Sequence, residues 1–373
     1  MKNLFVSIRN GIIHFFYVVF LKRIFFLIDP EKIHDRMLNV GKLLGRSVIT
    51  RKLSGLMFGY SNRMLEQRVL GMHFKNPVGL AAGFDKNAEL TGLMPHVGFG
   101  FEEVGSITGE PCEGNPKPRL WRLPKSRALV VNYGLKNDGC VKISERLMHK
   151  HFAFPVGTSI AKTNSPDTCE TDAGIHDYVK GFKHFTQIGD YFTINISCPN
   201  AFGGQPFTDP EKLEKLLEAV DKIHTGKPVF LKFSPDISLE NMDAILHAAG
   251  KHRIHGFVCT NLTKPRSNNK ILDALVPEKG GISGKVVEDL ANEMIRYVYH
   301  KTKGKYVIIG CGGIFNAEDA YKKIKLGASL LQLITGMIFE GPELISSINQ
   351  GLVRLLKKDG YKNIAEAVGA DNR

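Results

Sequence analysis

Residues 194–200 read I-N-I-S-C-P-N, a β-type run that gives way to a cysteine and a proline between two asparagines. A thiol at such a strand end can take a proton: its unperturbed pKa is about 8.5, far below that of a serine hydroxyl. The flanking amides of Asn195 and Asn200 offer paired donors and acceptors to a planar polar ring. The alternative use of a cysteine is as a small buried hydrophobe, and that reading is kept for Cys112, Cys140, Cys169, Cys259 and Cys311. Asp85-Lys86, Ser106, Lys232 and Thr260-Asn261 likewise close short apolar runs. A core does not accept lysines and asparagines at such places without partners, so together they predict one large polar ligand site. Further along, G-C-G-G-I (310–314) and I-T-G (334–336) free backbone N–H groups at consecutive strand ends. Such a corner grips phosphate, which implies a phosphorylated cofactor.

Positioning these residues requires a repeated scaffold. From Pro77 onward β-rich runs alternate with helical stretches, at 77–82, 101–106, 155–160, 192–197, 229–233, 256–260, 307–310 and 329–334. Alternating β and α units predict a parallel sheet, and eight of them predict an α/β fold closed as a (β/α)8 barrel with its chemistry at the carboxyl ends of the strands. The expected organisation is an apolar segment over 1–28, a helical module over 29–70, the barrel over 71–360 and a tail over 361–373.

The chain has 373 residues, 43% hydrophobic and 23% charged, which is globular composition. Lys and Arg number 50 against 37 Asp and Glu, a net charge of +13. That excess suits nucleic acid, an anionic membrane or an anionic small substrate, or no more than a solvated basic surface. The six cysteines form no C-x-x-C pair and no zinc-like spacing, so a reduced, cytosol-facing protein without a metal site is expected. Residues 10–21 carry no full charge, yet twelve such residues are too few for a bilayer, which needs about 20. No small-residue cleavage site follows, so a secretory signal is not expected. The reading is an element lying in a membrane interface, with Lys2, Arg9, Lys22 and Arg23 available to headgroups. Asp29-Pro30 then starts a helix whose stripe of Ile33, Met37, Leu38, Val40, Leu43 and Leu44 can serve the barrel, lipid or both.

The ordered motifs G-L-A-A-G-F-D-K-N (79–87), G-F-G-F-E-E-V-G-S-I-T (98–108), G-N-P-K-P-R-L-W-R-L-P (114–124), N-I-S-C-P-N (195–200), L-K-F-S-P-D (231–236), T-N-L-T (260–263), G-G-I-S-G-K (280–285), I-G-C-G-G-I (309–314) and G-A-S-L-L-Q-L (327–333) carry a resemblance. Across nearly its whole length the chain resembles the dihydroorotate dehydrogenases, and with its helical extension their membrane-associated, quinone-reducing type. The resemblance implies an FMN-containing barrel that oxidises dihydroorotate to orotate in pyrimidine (UMP) biosynthesis, passing a hydride to flavin N5 and then electrons to a membrane quinone. It places FMN against Ala82, Gly83, Lys86, Ser106, Ser159, Asn195, Lys232, Thr260, Gly284, Gly313, Ile334 and Thr335. Substrate would meet Lys86, Asn132, Gly134, Leu135, Asn195, Asn200, Asn261 and Leu262; Arg122 matches an arginine of the quinone pocket; and Cys198 would be the base. Peripheral membrane attachment on the cytoplasmic or matrix-like face is implied, with no nucleic acid as partner.

Several positions depart from the family pattern. The quinone type carries serine where Cys198 stands, cysteine being the habit of soluble types that use fumarate or NAD. Val131 replaces a substrate-binding asparagine, Leu262 a serine or threonine, Ser159 an asparagine and Ile334 a tyrosine. Fumarate or NAD as acceptor, another pyrimidine ring including an RNA uracil, and a non-enzymatic flavin barrel are therefore the competing readings. Salt-sensitive tRNA binding would mark the RNA reading, and a flavin without turnover on any pyrimidine the non-enzymatic one.

Overall fold

The computed structural model describes residues 2–372. Eight parallel strands close into a barrel in sequence order: β1 (Val78–Leu80), β2 (Phe101–Ile107), β3 (Val156–Ile160), β4 (Tyr191–Asn195), β5 (Val229–Lys232), β6 (Gly256–Cys259), β7 (Val307–Cys311) and β8 (Leu330–Leu333). All eight fall where the β-rich runs predict them, and β8 pairs back on β1 through Leu331–Val78 and Leu333–Leu80.

The bottom of the barrel is filled by alternating ring and space. Gly79, Gly157 and Gly256 stand where a Cβ would overlap the rings of Phe101, Tyr191 and Phe230 respectively. Each glycine thus makes room for a neighbouring strand's aromatic side chain. Phe74, from the hairpin of Gln67–Val69 and Met72–Phe74, closes this layer edge-on against Phe101 at 5.4 Å. Above it the buried Glu103 accepts hydrogen bonds from Thr193 Oγ1 and Gln332 Nε2, each at 2.9 Å, so the interior turns polar toward the carboxyl end.

On the opposite face of β2, Glu102 is wholly buried beside the carboxyl of Asp85, and no donor reaches either of its oxygens. Asp85 is itself committed to the backbone N–H groups of Glu89 and Leu90. Burial, reinforced by Asp85, pushes the Glu102 carboxyl well above its ordinary range. A raised carboxyl pKa favours folding only while the group is protonated, so stability is lost as pH climbs from the unfolded value through the folded one. Glu102→Leu is expected to match wild type near pH 4 and to exceed it by about 1–3 kcal/mol at pH 8 in urea unfolding. Equal stability at both pH values would refute this.

The N-terminal segment is one continuous helical run: α1 (Lys2–Phe16), a π-turn over Tyr17–Leu21, and α2 (Lys22–Leu27). The charge-free window of residues 10–21 understates it, because Arg9 and Lys22 interrupt the charge pattern without ending the helix. Asn3–Leu27 is long and apolar enough to cross a membrane by length and composition. Yet one face is stitched to the barrel throughout. Asn10 donates to Ser346 and Ser347, His14 pairs with Glu343 at 2.9 Å, Tyr17 donates to the Ile338 carbonyl, and Lys22 to that of Phe339. Arg9 reaches the carbonyls of Leu56 and Gly59. The other face leaves Leu4, Phe5, Ile8, Ile12, Phe16 and Ile24 exposed. Of the headgroup cations expected here, the side chain of Lys2 lies outside the described residues.

A bend at Ile28 leads to α3 (Pro30–Arg46), where Asp29 caps the Lys32 N–H and Pro30 occupies the first turn. A second helix, α4 (Val48–Phe58), follows. The apolar stripe of α3 splits: Leu38 and Leu44 pack on the barrel core, while Val40 and Leu43 stay exposed. The last residues fold back on the barrel, with Ile364 and Ala367 buried and Asn363 donating to the Glu66 carbonyl.

Candidate active site

A cavity opens at the carboxyl mouth of the barrel, bounded on one side by α3 and on another by a small antiparallel sheet of Leu120–Leu123, Ala128–Val131 and Gly281–Ile282. Strand ends deliver its polar groups: Lys86 after β1, Ser106 on β2, Asn195 and Cys198 from β4, Lys232 at the end of β5, Thr260 and Asn261 after β6, Gly313 after β7 and Thr335 after β8. Ala82, Gly83, Gly134, Leu135, Asn200, Leu262, Gly284 and Ile334 complete the expected residues that line it. Three expected ones do not. Ser159 lies behind Ser106, their hydroxyls 2.8 Å apart. Asn132 follows the strand that turns Val131 inward, and strand alternation directs it away; its Oδ1 accepts from Asn115 instead. Arg122 shares its strand face with the cavity-lining Leu120 but turns to the helical module, sitting over the Phe26 ring at 4.6 Å and donating to the Ile28 carbonyl.

The amides are held in a chain. Asn195 Nδ2 donates to Ser106 Oγ at 2.8 Å, while Asn261 Nδ2 donates to the Ser197 carbonyl and hydroxyl, both at 3.0 Å. Asn200 Nδ2 donates to the Val131 carbonyl at 2.8 Å and accepts through its own carbonyl from Asn115. Cys198 is thereby fixed at the wall, half-buried, on a loop anchored by Lys162 Nζ to the Phe202 carbonyl and by Gln205 to the Ser197 carbonyl. Burial pushes its thiol up; the Asn200 N–H and the charges of Lys162 and Lys232 pull the other way.

Lys86 is half-buried between α3 and the 131–137 loop. Its Nζ lies 3.2 Å from His34 Nε2 of α3 and 3.9 Å from the centre of the Tyr133 ring. Burial brings its ammonium down to about 8. His34 is likewise pushed well below its ordinary range, first by burial and then by Lys86 and Lys136, so it stays neutral and accepts from the lysine.

Opposite these groups, Gly284 (φ +83°) and Gly313 (φ +74°) turn the backbone where a Cβ would overlap the Arg127 carbonyl and Glu288 respectively. Ser283 and Thr335 meet there, their hydroxyls 2.8 Å apart. Among the described residues no Asp or Glu lines the cavity, whereas Lys86, Lys136 and Lys232 do. A glycine cradle with hydroxyls at one end and cations without counter-carboxylates at the other fits a phosphorylated flavin and an anionic ring ligand. Leu120, Leu129, Phe315 and Ile338 form an apolar wall toward the helical module. Lys136, His34 and Tyr133 also line the cavity without a sequence signal of their own: Tyr133 and Lys136 lie in the loop around Val131 that departs from the family pattern, and His34 is hidden within an amphipathic stripe.

A (β/α)8 barrel whose carboxyl mouth joins a glycine corner to a lysine-lined cavity suits a flavin-dependent oxidoreductase. A family model described as dihydroorotate dehydrogenase matches residues 64–356. The chain belongs to the dihydroorotate dehydrogenase family. Relatives named dihydroorotate dehydrogenase (quinone) include that of Crocosphaera subtropica, 40% identical over 360 residues, covering 92% of this chain and 94% of its own. That of Haloarcula marismortui is 39% identical over 311 residues, covering 83% and 87%. Among solved structures, the ligand-free dihydroorotate dehydrogenase of Eimeria tenella aligns with a TM-score of 0.82 at 30% identity, covering 92% of this chain and 100% of that one.

Proposed function

We propose that this protein oxidises dihydroorotate to orotate in pyrimidine biosynthesis, with flavin mononucleotide as resident cofactor and a membrane quinone as acceptor. The observation that carries the reading is the cavity's charge: three lysines, no carboxylate, and a thiol on the wall. Gly284, Gly313, Ser283 and Thr335 would hold the phosphate, and Lys232 would offset negative charge on the ring system. When bound, the flavin supplies the hydride acceptor.

The chain's own residues do the rest. Lys86 offers its ammonium to the substrate carboxylate, and the asparagine chain orients the ring through its N–H and C=O edges. Oxidation of the saturated bond removes a hydride from one carbon and a proton from its neighbour; Cys198 Sγ takes the proton. The apolar wall beneath the module suits a quinone ring, and the exposed apolar face of α1, with Val40 and Leu43 of α3, suits a peripheral membrane contact.

Dihydroorotate added anaerobically to the purified flavoprotein should bleach the flavin, and a ubiquinone or menaquinone analogue should restore its colour faster than fumarate or NAD. A flavin that stays oxidised would remove the reading; faster reoxidation by fumarate or NAD would reassign the acceptor. The membrane contact predicts that Ile12→Glu combined with Phe16→Glu abolishes co-sedimentation with anionic vesicles while leaving flavin content intact. Unchanged sedimentation would place the contact elsewhere.

A further inference from the structure

The loop over 131–137 rims the cavity; its amide side chains are hydrogen-bonded, the Tyr133 hydroxyl is buried without a hydrogen-bond partner, and one charged side chain is left over. Asn132 accepts from Asn115, and Asn137 is tied to Thr108 and the Leu135 carbonyl. Lys136 lines the cavity yet has no ion pair or hydrogen bond among the described residues. The nearby Arg119 is taken by Glu31, and no cavity-lining carboxylate answers Lys136. Its charge is felt across the cavity, where it lowers both Lys86 and His34. Asp35 and Glu31 of α3 act on Lys86 in the opposite sense from behind it, but neither lines the cavity. Two ammonium groups facing a shared space with no carboxylate in its lining are arranged for an anion from outside.

The uncharged part of the wall has moved the other way. Val131 and Leu262 present alkyl groups, and the Asn200 amide is spent on the Val131 carbonyl. Fewer amides face the ring, and more positive charge faces its substituent.

We propose that Lys136 binds the carboxylate of the ring substrate together with Lys86, and so makes this site selective for an anionic dihydropyrimidine over its neutral analogues. This rests on the proposed oxidation of dihydroorotate and deepens it. A charge-assisted contact discriminates strongly here, because a neutral analogue leaves two like charges facing each other.

The probe is orotate, titrated into the oxidised flavoprotein and followed by the change in flavin absorbance. Lys136→Met is expected to weaken orotate about ten- to a hundredfold and to flatten the salt dependence of binding, with flavin content unchanged. Lys136→Arg should recover most of the affinity, which a merely structural role would not require. In turnover, Lys136→Met should raise KM for dihydroorotate and leave KM for its neutral methyl ester near the wild-type value. Equal orotate affinity in wild type and Lys136→Met overturns the inference while bleaching of the wild-type flavin by dihydroorotate leaves the proposed function standing. A wild-type flavin that responds to neither compound overturns both.

Discussion

Cys198→Ala is expected to retain its flavin and to lose about 10²–10⁴-fold in the rate at which dihydroorotate bleaches it, the usual worth of a positioned general base. The thiol has no substitute on that wall: Lys86 and Lys232 are cationic, and the asparagine amides carry no basic site. Because burial raises its pKa while catalysis needs the thiolate, the wild-type rate should climb with pH through the alkaline range. In the alanine variant that limb should vanish. Lys162→Met, which removes a charge that favours the thiolate, should displace the limb to higher pH. A Cys198→Ala protein that is reduced at the wild-type rate would strip the residue of its role.

Glu31→Ala is expected to cost about 3–5 kcal/mol in unfolding free energy, the loss typical when one member of a buried ion pair is removed and the other is left uncompensated. Glu31 of α3 and Arg119 are each 4% exposed, and the guanidinium meets the carboxylate through Nε and Nη2 at 2.8–3.2 Å. Burial opposes the charge on Glu31, but Arg119 and Lys117 overcome it and hold the carboxyl below its ordinary range. A depressed carboxyl contributes stability above its unfolded pKa and loses it as pH falls through the folded one. The difference between Glu31→Ala and wild type should therefore be full at pH 7 and shrink on acidification. The double variant with Arg119→Leu should recover part of the loss, since it buries no orphan charge. A penalty that persists unchanged at low pH would mean that packing, and not the ion pair, holds the module.

The barrel was legible because its strands are short apolar runs, most of them closed by polar residues, a pattern that survives without tertiary knowledge. The same pattern brought most of the site together, since residues at carboxyl ends of parallel strands converge whatever lies between them. Two kinds of information were not local. Asn132 could replace the lost asparagine one position earlier only if the loop shifted, and it does not: the two-residue period of the preceding strand turns Val131 to the cavity and Asn132 to Asn115. The reach of the N-terminal helix was hidden because its charged residues point at barrel carbonyls and carboxylates that no sequence window contains. Lys136 was hidden for a related reason: its meaning lies in the absence of a carboxylate elsewhere around the cavity.

His34 belongs to the helical module by chain connectivity and to the cavity by its bond to Lys86. A ligand anion that draws the Lys86 ammonium toward itself changes the free energy with which α3 sits on the barrel, and the seating of α3 changes anion affinity by the same factor. If the module binds lipid and the ring site binds dihydroorotate as proposed, the two occupancies would be thermodynamically linked through one histidine.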